Sequence, residues 1–458
     1  MNDKIIEIDG RGASNLRSNP INLTRNASTA QLWMLAMLTL ALILAFADRG
    51  LLSILVDPVK KDLDLTDLQM SYLLGFSFSA VYSIAALPLG YLCDRVDRRA
   101  LIAVCIVTWS LMTAYACFAD SFGQLFVARM GLGIAEAALA PAAFSMIRDS
   151  FSLTQRARAF AVLNSAHLVG GGSALLIGGA LLGFASGGGL STHAFLQHLH
   201  PWQFVLITVG AIGLPFALAF FFSVREPQRP PPAAGALPPT FGDAGRFIQT
   251  RKALLVPLWL GYAMFTLAQG GLTAWVPMVA HRGWNIPIPA VGKTLGPLMM
   301  VAAPVGSLFM GWLMDRMSGR GRRNATVRTC AIAMGLGALT ALAQWFIADI
   351  RIAMLLYIVQ VLLFTSFTVA TSAALAQITP ARLSGKLQAI MGLASSLVGL
   401  ALGPTVVAMV SEHLFGGVNA LHDGLAVTVA AAAAAGAALY AVVAAKMRGH
   451  DGPDQGAL

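Results

Sequence analysis

The sequence predicts an all-α polytopic membrane protein whose twelve transmembrane helices form two six-helix, pseudo-symmetric halves. Three observations carry this expectation. Of the 458 residues, 57% are hydrophobic and only 11% are Asp, Glu, Lys or Arg, against roughly a quarter charged in soluble domains. At about 20 apolar residues per membrane helix, twelve helices use up nearly that whole apolar inventory. Finally, Gly90-Tyr-Leu-Cys-Asp94-Arg95 returns 221 residues later as Gly311-Trp-Leu-Met-Asp315-Arg316, and the same offset maps the first span onto the seventh. Parallel repeats of this kind build many transporters. Continuously apolar stretches such as Leu32 to Ala47 exclude the alternating strands of a membrane barrel.

Cuts at charge clusters and turn residues place the spans in order: Leu32–Val56, Leu68–Leu92, Ala100–Ala119, Gln124–Met146, Ala159–Phe184 and Phe204–Val224, then Leu254–Val279, Val291–Met314, Cys330–Ile347, Ile352–Leu375, Leu387–Val410 and Leu425–Ala445. Thr66 with Gln69 three residues on forms a capping box that opens the second span. Pro201 opens the sixth span and Pro380 closes the tenth. Residues 1–31 read as a disordered tail, 32–224 and 253–446 as the two halves, and 447–458 as a second tail. The segment 225–252 holds six prolines between Pro227 and Pro239 and reads as the linker.

The formal charge of +10 comes from 31 basic and 21 acidic residues. Alternating the spans puts 24 basic residues on the side of the two tails and five on the other, so the positive-inside rule assigns both termini to the cytoplasm, in the inner membrane of a bacterial cell. The inner-membrane expectation holds for a bacterial source; the basic balance is an orientation signal and implies no nucleic acid partner. Cys93, Cys105, Cys117 and Cys330 sit in or beside apolar segments as small hydrophobes. No cofactor and no metal site is expected: His193, His198 and His200 share an outer loop without cysteine or carboxylate partners in the sequence. Gly292-Lys293-Thr294 imitates the end of a phosphate-binding loop, but Pro287 stands where its first glycine belongs. The chain offers no nucleophile with a base, which sets aside an intramembrane lipid enzyme.

Two basic residues, Arg49 and Arg129, fall inside spans together with Asp48 and Glu136. Ionised groups at membrane depth cost several kcal/mol unless paired or wetted. Arg129 and Glu136, seven residues apart, stand about 10 Å apart along one helix face, so pairing across to Asp48 and Arg49 is the expected arrangement. An aspartate among arginines can change partner on protonation, which makes Asp48 and Glu136 candidates for proton coupling, with Arg49 and Arg129 as ion-pair partners or contacts for a substrate headgroup. The second half holds no comparable buried charge and is expected to supply uncharged cavity groups: Gln269 beside Gly270 and Gly271, and Thr365, Thr368 and Ser372 on one helix face. His167 in the fifth span is a further candidate for the cavity wall.

The segment Gly90-Tyr-Leu-Cys-Asp94-Arg95-Val-Asp97-Arg98-Arg99 resembles the cytoplasmic signature of the major facilitator superfamily, Gly-x-x-x-Asp-Arg-x-Gly-Arg-Arg, departing from it at Asp97. The resemblance implies that Gly90, Asp94, Arg95 and Arg98, with Asp315 and Arg316, form a conformational gate whose contacts break as the halves rock. Ala47-Asp48-Arg49, Trp109-Ser-Leu-Met112 and Ala128-Arg129-Met-Gly131-Leu-Gly133-Ile-Ala-Glu136, followed by Pro141 to Ala143, look like the spinster-like branch of that superfamily over residues 45–225, with Ala135 in place of the usual glycine. That resemblance implies a monomer that works by alternating access, coupling protons to an amphiphilic anion, a lysophospholipid-like or sphingolipid-like molecule. A small hydrophilic anion such as a sugar acid is the alternative cargo. The glycine run Gly170 to Gly183 lacks the Gly-Pro signature of antiporters, which leaves the coupling direction open.

Overall fold

The computed structural model describes residues 27–190, 196–229, 241–318, 324–347, 349–365, 367–417 and 419–448. Twelve helices among them are long and apolar enough to cross a membrane: α1 (Thr29–Asp62), α2 (Asp67–Cys93), α3 (Arg98–Ala116), α4 (Phe122–Ser150), α5 (Leu153–Gly189) and α6 (Pro201–Ser223), then α7 (Gly242–Trp284), α8 (Ile288–Met314), α9 (Ala325–Trp345), α10 (Ile350–Ile378), α11 (Leu383–Leu414) and α12 (Ala420–Met447). Every expected span falls on one of these.

The boundaries differ where local chemistry extends a helix. Ser28 caps α1 through a capping box with Gln31, so the helix starts inside the expected tail. The expected linker is helical from residue 241 and breaks at Arg251, whose φ of −112° and ψ of 16° leave the helical region. The tail and linker residues 1–26, 230–240 and 449–458 lie outside the described residues. Asp97, the departure from the superfamily signature, caps α3 by accepting a hydrogen bond from the Ala100 amide at 2.8 Å, so an acidic side chain replaces a glycine turn.

Two faces can be distinguished by their ends. The motif face carries Asp94, Arg316 and the starts of α1 and α5; the far face carries the α1–α2 and α7–α8 turns. Near the far face the halves are locked together. Beta carbons added at Gly172 or Gly296 would meet each other's carbonyl oxygens at 2.6 and 2.8 Å, and one at Gly179 would stand 3.0 Å from the Gly292 Cα, so α5 and α8 touch backbone to backbone. The glycine run that sequence reasoning weighed as a coupling signature is therefore a packing seam. Gly75 on α2 likewise faces the Leu400 and Ala401 carbonyls on α11 at 2.7 Å. Both crossing helices carry a π-helical turn there, Tyr72–Phe76 and Ser396–Leu400.

Toward the motif face the buried apolar core of the first half is separate from that of the second. A beta carbon at Gly90 or Gly311 would meet nothing within 4 Å. One buried apolar cluster runs across both halves, joining Leu51 to Val59 with Val291, Leu295 and the second half's core. The motif-side part of the first half has a separate cluster, from Met34 to Val224, that contains no residue of the second half. Replacing Gly296 by valine is expected to cost about 1–3 kcal/mol through overpacking of the α5–α8 seam, read as a lower unfolding temperature in detergent. An unchanged melting curve would show that the seam yields freely.

Candidate functional site

The four intramembrane charges come together between α1 and α4, but only one of the expected ion pairs forms. Arg49 Nη2 donates to Glu136 Oε2 at 2.6 Å. The Glu136 carboxylate is fully buried while the Arg49 side chain keeps 25% of its exposure. Three rings surround that guanidinium, with centroids 4.7 Å away for Phe46, 4.2 Å for Phe78 and 5.2 Å for Tyr82. Cation–π attraction from these rings adds to the ion pair in holding the guanidinium in place.

Asp48, buried at 5% exposure, forms no ion pair with either arginine among the described residues. Its Oδ2 accepts from the Thr113 hydroxyl of α3 at 2.5 Å. Arg129 spends its donors on backbone instead, Nε on the Leu73 carbonyl at 3.1 Å and Nη2 on the Arg49 carbonyl at 3.3 Å. The π-helical turn of α2 explains why Leu73 has an oxygen to offer. In that turn the Ser77 amide reaches back to Tyr72, releasing the Leu73 carbonyl from the regular i to i−4 ladder to take the Ser77 hydroxyl and Arg129. Sequence spacing showed where charges had to compensate; it could not show a backbone carbonyl taking the place of a carboxylate.

The remaining candidates divide. His167 Nδ1 lies 2.6 Å from the Asn164 carbonyl, which makes Nδ1 the donor and leaves Nε2 as an acceptor; its ring leans on Phe46 at 5.8 Å and is exposed. Thr368 is exposed and takes a 3.3 Å hydrogen bond from the Tyr262 hydroxyl. Gln269 donates along its own helix to Thr273 at 3.5 Å, and the Ser372 carbonyl accepts from Gln388 at 3.0 Å. Thr365 does not fit the cavity role: its hydroxyl would stand 2.6 Å from a beta carbon at Gly306, so it seals the α8–α10 contact. Gly270 and Gly271 pack on Gly399 and Val407 of α11 and do not open α7.

The motif residues form a clamp within the first half. Arg98, 1% exposed, donates to Glu226 at 2.6 Å, to Asp149 at 2.5 Å and to Ser145 at 2.7 Å, tying α3 to the end of α4 and to the irregular segment after α6. Arg229 caps the carbonyls of Cys93, Asp94 and Val96. Arg95 and Arg316 rest on rings four residues back in the chain, Tyr91 at 3.6 Å and Trp312 at 5.5 Å. Among the described residues no hydrogen bond or ion pair joins the Asp94 side chain to the other half, and the Asp315 side chain lies outside the described residues.

Sequence reasoning missed the ionic cluster at the far face. Arg282 at the end of α7 bonds Asp57 of α1 at 2.5 Å and Asp67 of α2 at 2.7 Å, with Lys60 2.8 Å from Asp67 and His281 3.6 Å from Asp57. The Leu68 amide donates to Glu412 of α11 at 3.1 Å. His200, read as lacking a carboxylate, stands 3.0 Å from Asp62, which also accepts from the Trp202 indole. Alternation of acidic and basic residues across the two outer turns was the available signal.

Twelve helices, two repeated halves and a charge group buried in one of them define a secondary transporter, and residues 38–404 match the profile of the Major Facilitator Superfamily. The chain belongs to that superfamily, and its halves alternate access to a site between them. It is similar to an MFS-type efflux pump of Mycolicibacterium smegmatis, 27% identical over 408 residues that cover 88% of this chain and 90% of that protein. A probable L-galactonate transporter of Escherichia coli K12 is 24% identical over 66% of this chain and 65% of its own length. A probable galactarate/D-glucarate transporter of Bacillus subtilis reaches 30% identity over 44% of the chain and 43% of its own. Among solved structures, a bacterial homolog to the human lysosomal transporter Spinster, described as inward-facing and unoccupied, superposes with a TM-score of 0.75 at 23% identity, covering 92% of this chain and 96% of that one. The relatives are transporters, and the chain is a transporter, not an enzyme.

Proposed function

We propose that the protein is a proton-coupled transporter of a small organic anion, with sugar acids as the cargo class. The observation that carries this reading is the Arg49–Glu136 pair, a fully buried carboxylate on a partly exposed guanidinium beside a second buried carboxylate, Asp48. Protonation of Glu136 would free Arg49 for a substrate carboxylate, and Arg is the side chain best shaped for that contact. The E. coli and B. subtilis relatives named for sugar acids support the cargo. His167 Nε2, Gln269 and Thr368 offer hydrogen bonds of the kind a polyhydroxylated anion takes. With the motif face in the cytoplasm, as the basic residues argue, halves joined at the far face and with separate apolar cores toward the motif face correspond to the inward-open state. In this reading both termini are cytoplasmic, the chain lies in the inner membrane of a bacterial cell, and a monomer suffices.

A second cargo reading, an amphiphilic lysophospholipid-like or sphingolipid-like anion, is favoured by the aromatic wall around Arg49 and by the fold shared with the Spinster homolog. Proteoliposomes under an imposed pH gradient separate the readings: galactonate flux that follows the gradient supports the first, lysophospholipid flux the second. Asp48→Asn is expected to abolish gradient-driven flux while the protein remains monodisperse. Flux indifferent to the gradient would remove proton coupling, and normal coupled flux in Asp48→Asn would remove Asp48 from it.

A further inference from the structure

We infer that Thr113 is the positioning residue of the proton site: it holds Asp48 turned into the first six-helix bundle, toward a water-sized cavity, and away from the path between the halves. The inference rests on the proton-coupling reading above and adds a residue and a route to it.

Asp48 and Arg49 are neighbours on α1, about 100° apart around a helix of 3.6 residues per turn, so they address different surroundings. Arg49 points at α2 and the Glu136 carboxylate and keeps a quarter of its side-chain exposure. Asp48 points at α3, where Thr113 is itself only 5% exposed. The two side chains share a cavity of about 20 Å³ with Leu52, Met112, Arg129 and Leu206, enough for one water. All of its lining residues belong to α1, α3, α4 and α6; none comes from α2, α5 or the second half. A proton reaching Asp48 here passes through the bundle and need not share the space that substrate occupies.

The groups around Asp48 are Arg129 and Glu136 from α4 and Arg49 from α1 itself, with Tyr82 of α2 and His167 of α5 lying beyond Arg49. From α3 and α6 come the Thr113 hydroxyl and the apolar Met112 and Leu206. Arg129 is committed to two backbone carbonyls, which leaves the Thr113 hydroxyl as the direct donor that steadies the charged carboxylate. A donor to the ionised form favours ionisation. Removing it must therefore raise the pH at which Asp48 takes up a proton.

The test needs no substrate. Infrared difference spectra of the purified protein across pH contain the carboxyl band that Asp48→Asn removes, and that band reports the titration of Asp48. Thr113→Val is expected to move its midpoint upward by about one unit, roughly a tenfold change in proton affinity, and Thr113→Ser to return it. Leu206→Phe, which fills the cavity and replaces no polar side chain, is expected to slow hydrogen–deuterium exchange of the band at least severalfold. An unmoved midpoint in Thr113→Val overturns the positioning role, and unchanged exchange in Leu206→Phe overturns the route. If no titrating band is lost in Asp48→Asn, the proton-coupling reading fails and the inference goes with it.

Discussion

Replacing Arg49 with alanine is expected to lower stability by about 3–5 kcal/mol at neutral pH, the range for removing one partner of a buried ion pair, and to abolish transport. The size follows from what is left behind. Glu136 is 1% exposed, its Oε2 would lose the 2.6 Å contact, and its Oε1 has no partner in the described structure. Arg129 cannot step in without giving up the Leu73 and Arg49 carbonyls. A lone carboxylate in this position favours its protonated form, so the defect should shrink as pH falls and grow as it rises. The double substitution Arg49→Ala with Glu136→Gln removes both charges and is expected to recover most of the stability but none of the transport, because the anion contact is gone. Thermal unfolding in detergent at pH 5 and pH 8 checks this; a defect that is independent of pH, or a double variant as weak as the single one, would mean that the pair does not compensate a buried charge.

The sequence made the helices legible because membrane solvent imposes one strong rule. Every backbone polar group must be bonded within the segment, so apolar length alone reveals the spans. The pseudo-repeat at Asp94 and Asp315 and the excess of arginines beside them gave the two halves. Buried charges were legible for the same reason: Asp48, Arg49, Arg129 and Glu136 are too costly in hydrocarbon to lack a purpose. Their partners were another matter. Thr113 is one hydroxyl among many in an apolar helix, and nothing in its spacing sets it apart from Thr365, which serves packing against Gly306. The Leu73 carbonyl became an acceptor through a π-helical turn, and the glycines of α5 and α8 met across the halves; both depend on how distant segments cross. Interactions fixed by three-dimensional register leave no periodicity along the chain.

The same separation of local and distant contacts makes the far-face cluster the most informative place to disturb the conformational balance. Arg282 on α7 holds Asp57 and Asp67, which belong to two helices of the other half, and its side chain is 22% exposed. Bonds between a guanidinium and two carboxylates that exist only while the far face is closed stabilise that state alone. Arg282→Ala removes them and leaves the two aspartates to Lys60 and His281. With partial solvent screening a shift of about 1–2 kcal/mol is expected, a change of roughly tenfold in the ratio of far-face-closed to far-face-open molecules. Spin labels placed at the far-face ends of α2 and α11 would read it as a growing population at longer distance. Arg282→Asp combined with Asp67→Arg restores one pair across the same gap and should move the distribution back toward the closed state. Identical distance distributions in the wild type and Arg282→Ala would show that the glycine seam of α5 and α8 alone keeps the far face shut, and that the ionic cluster only decorates it.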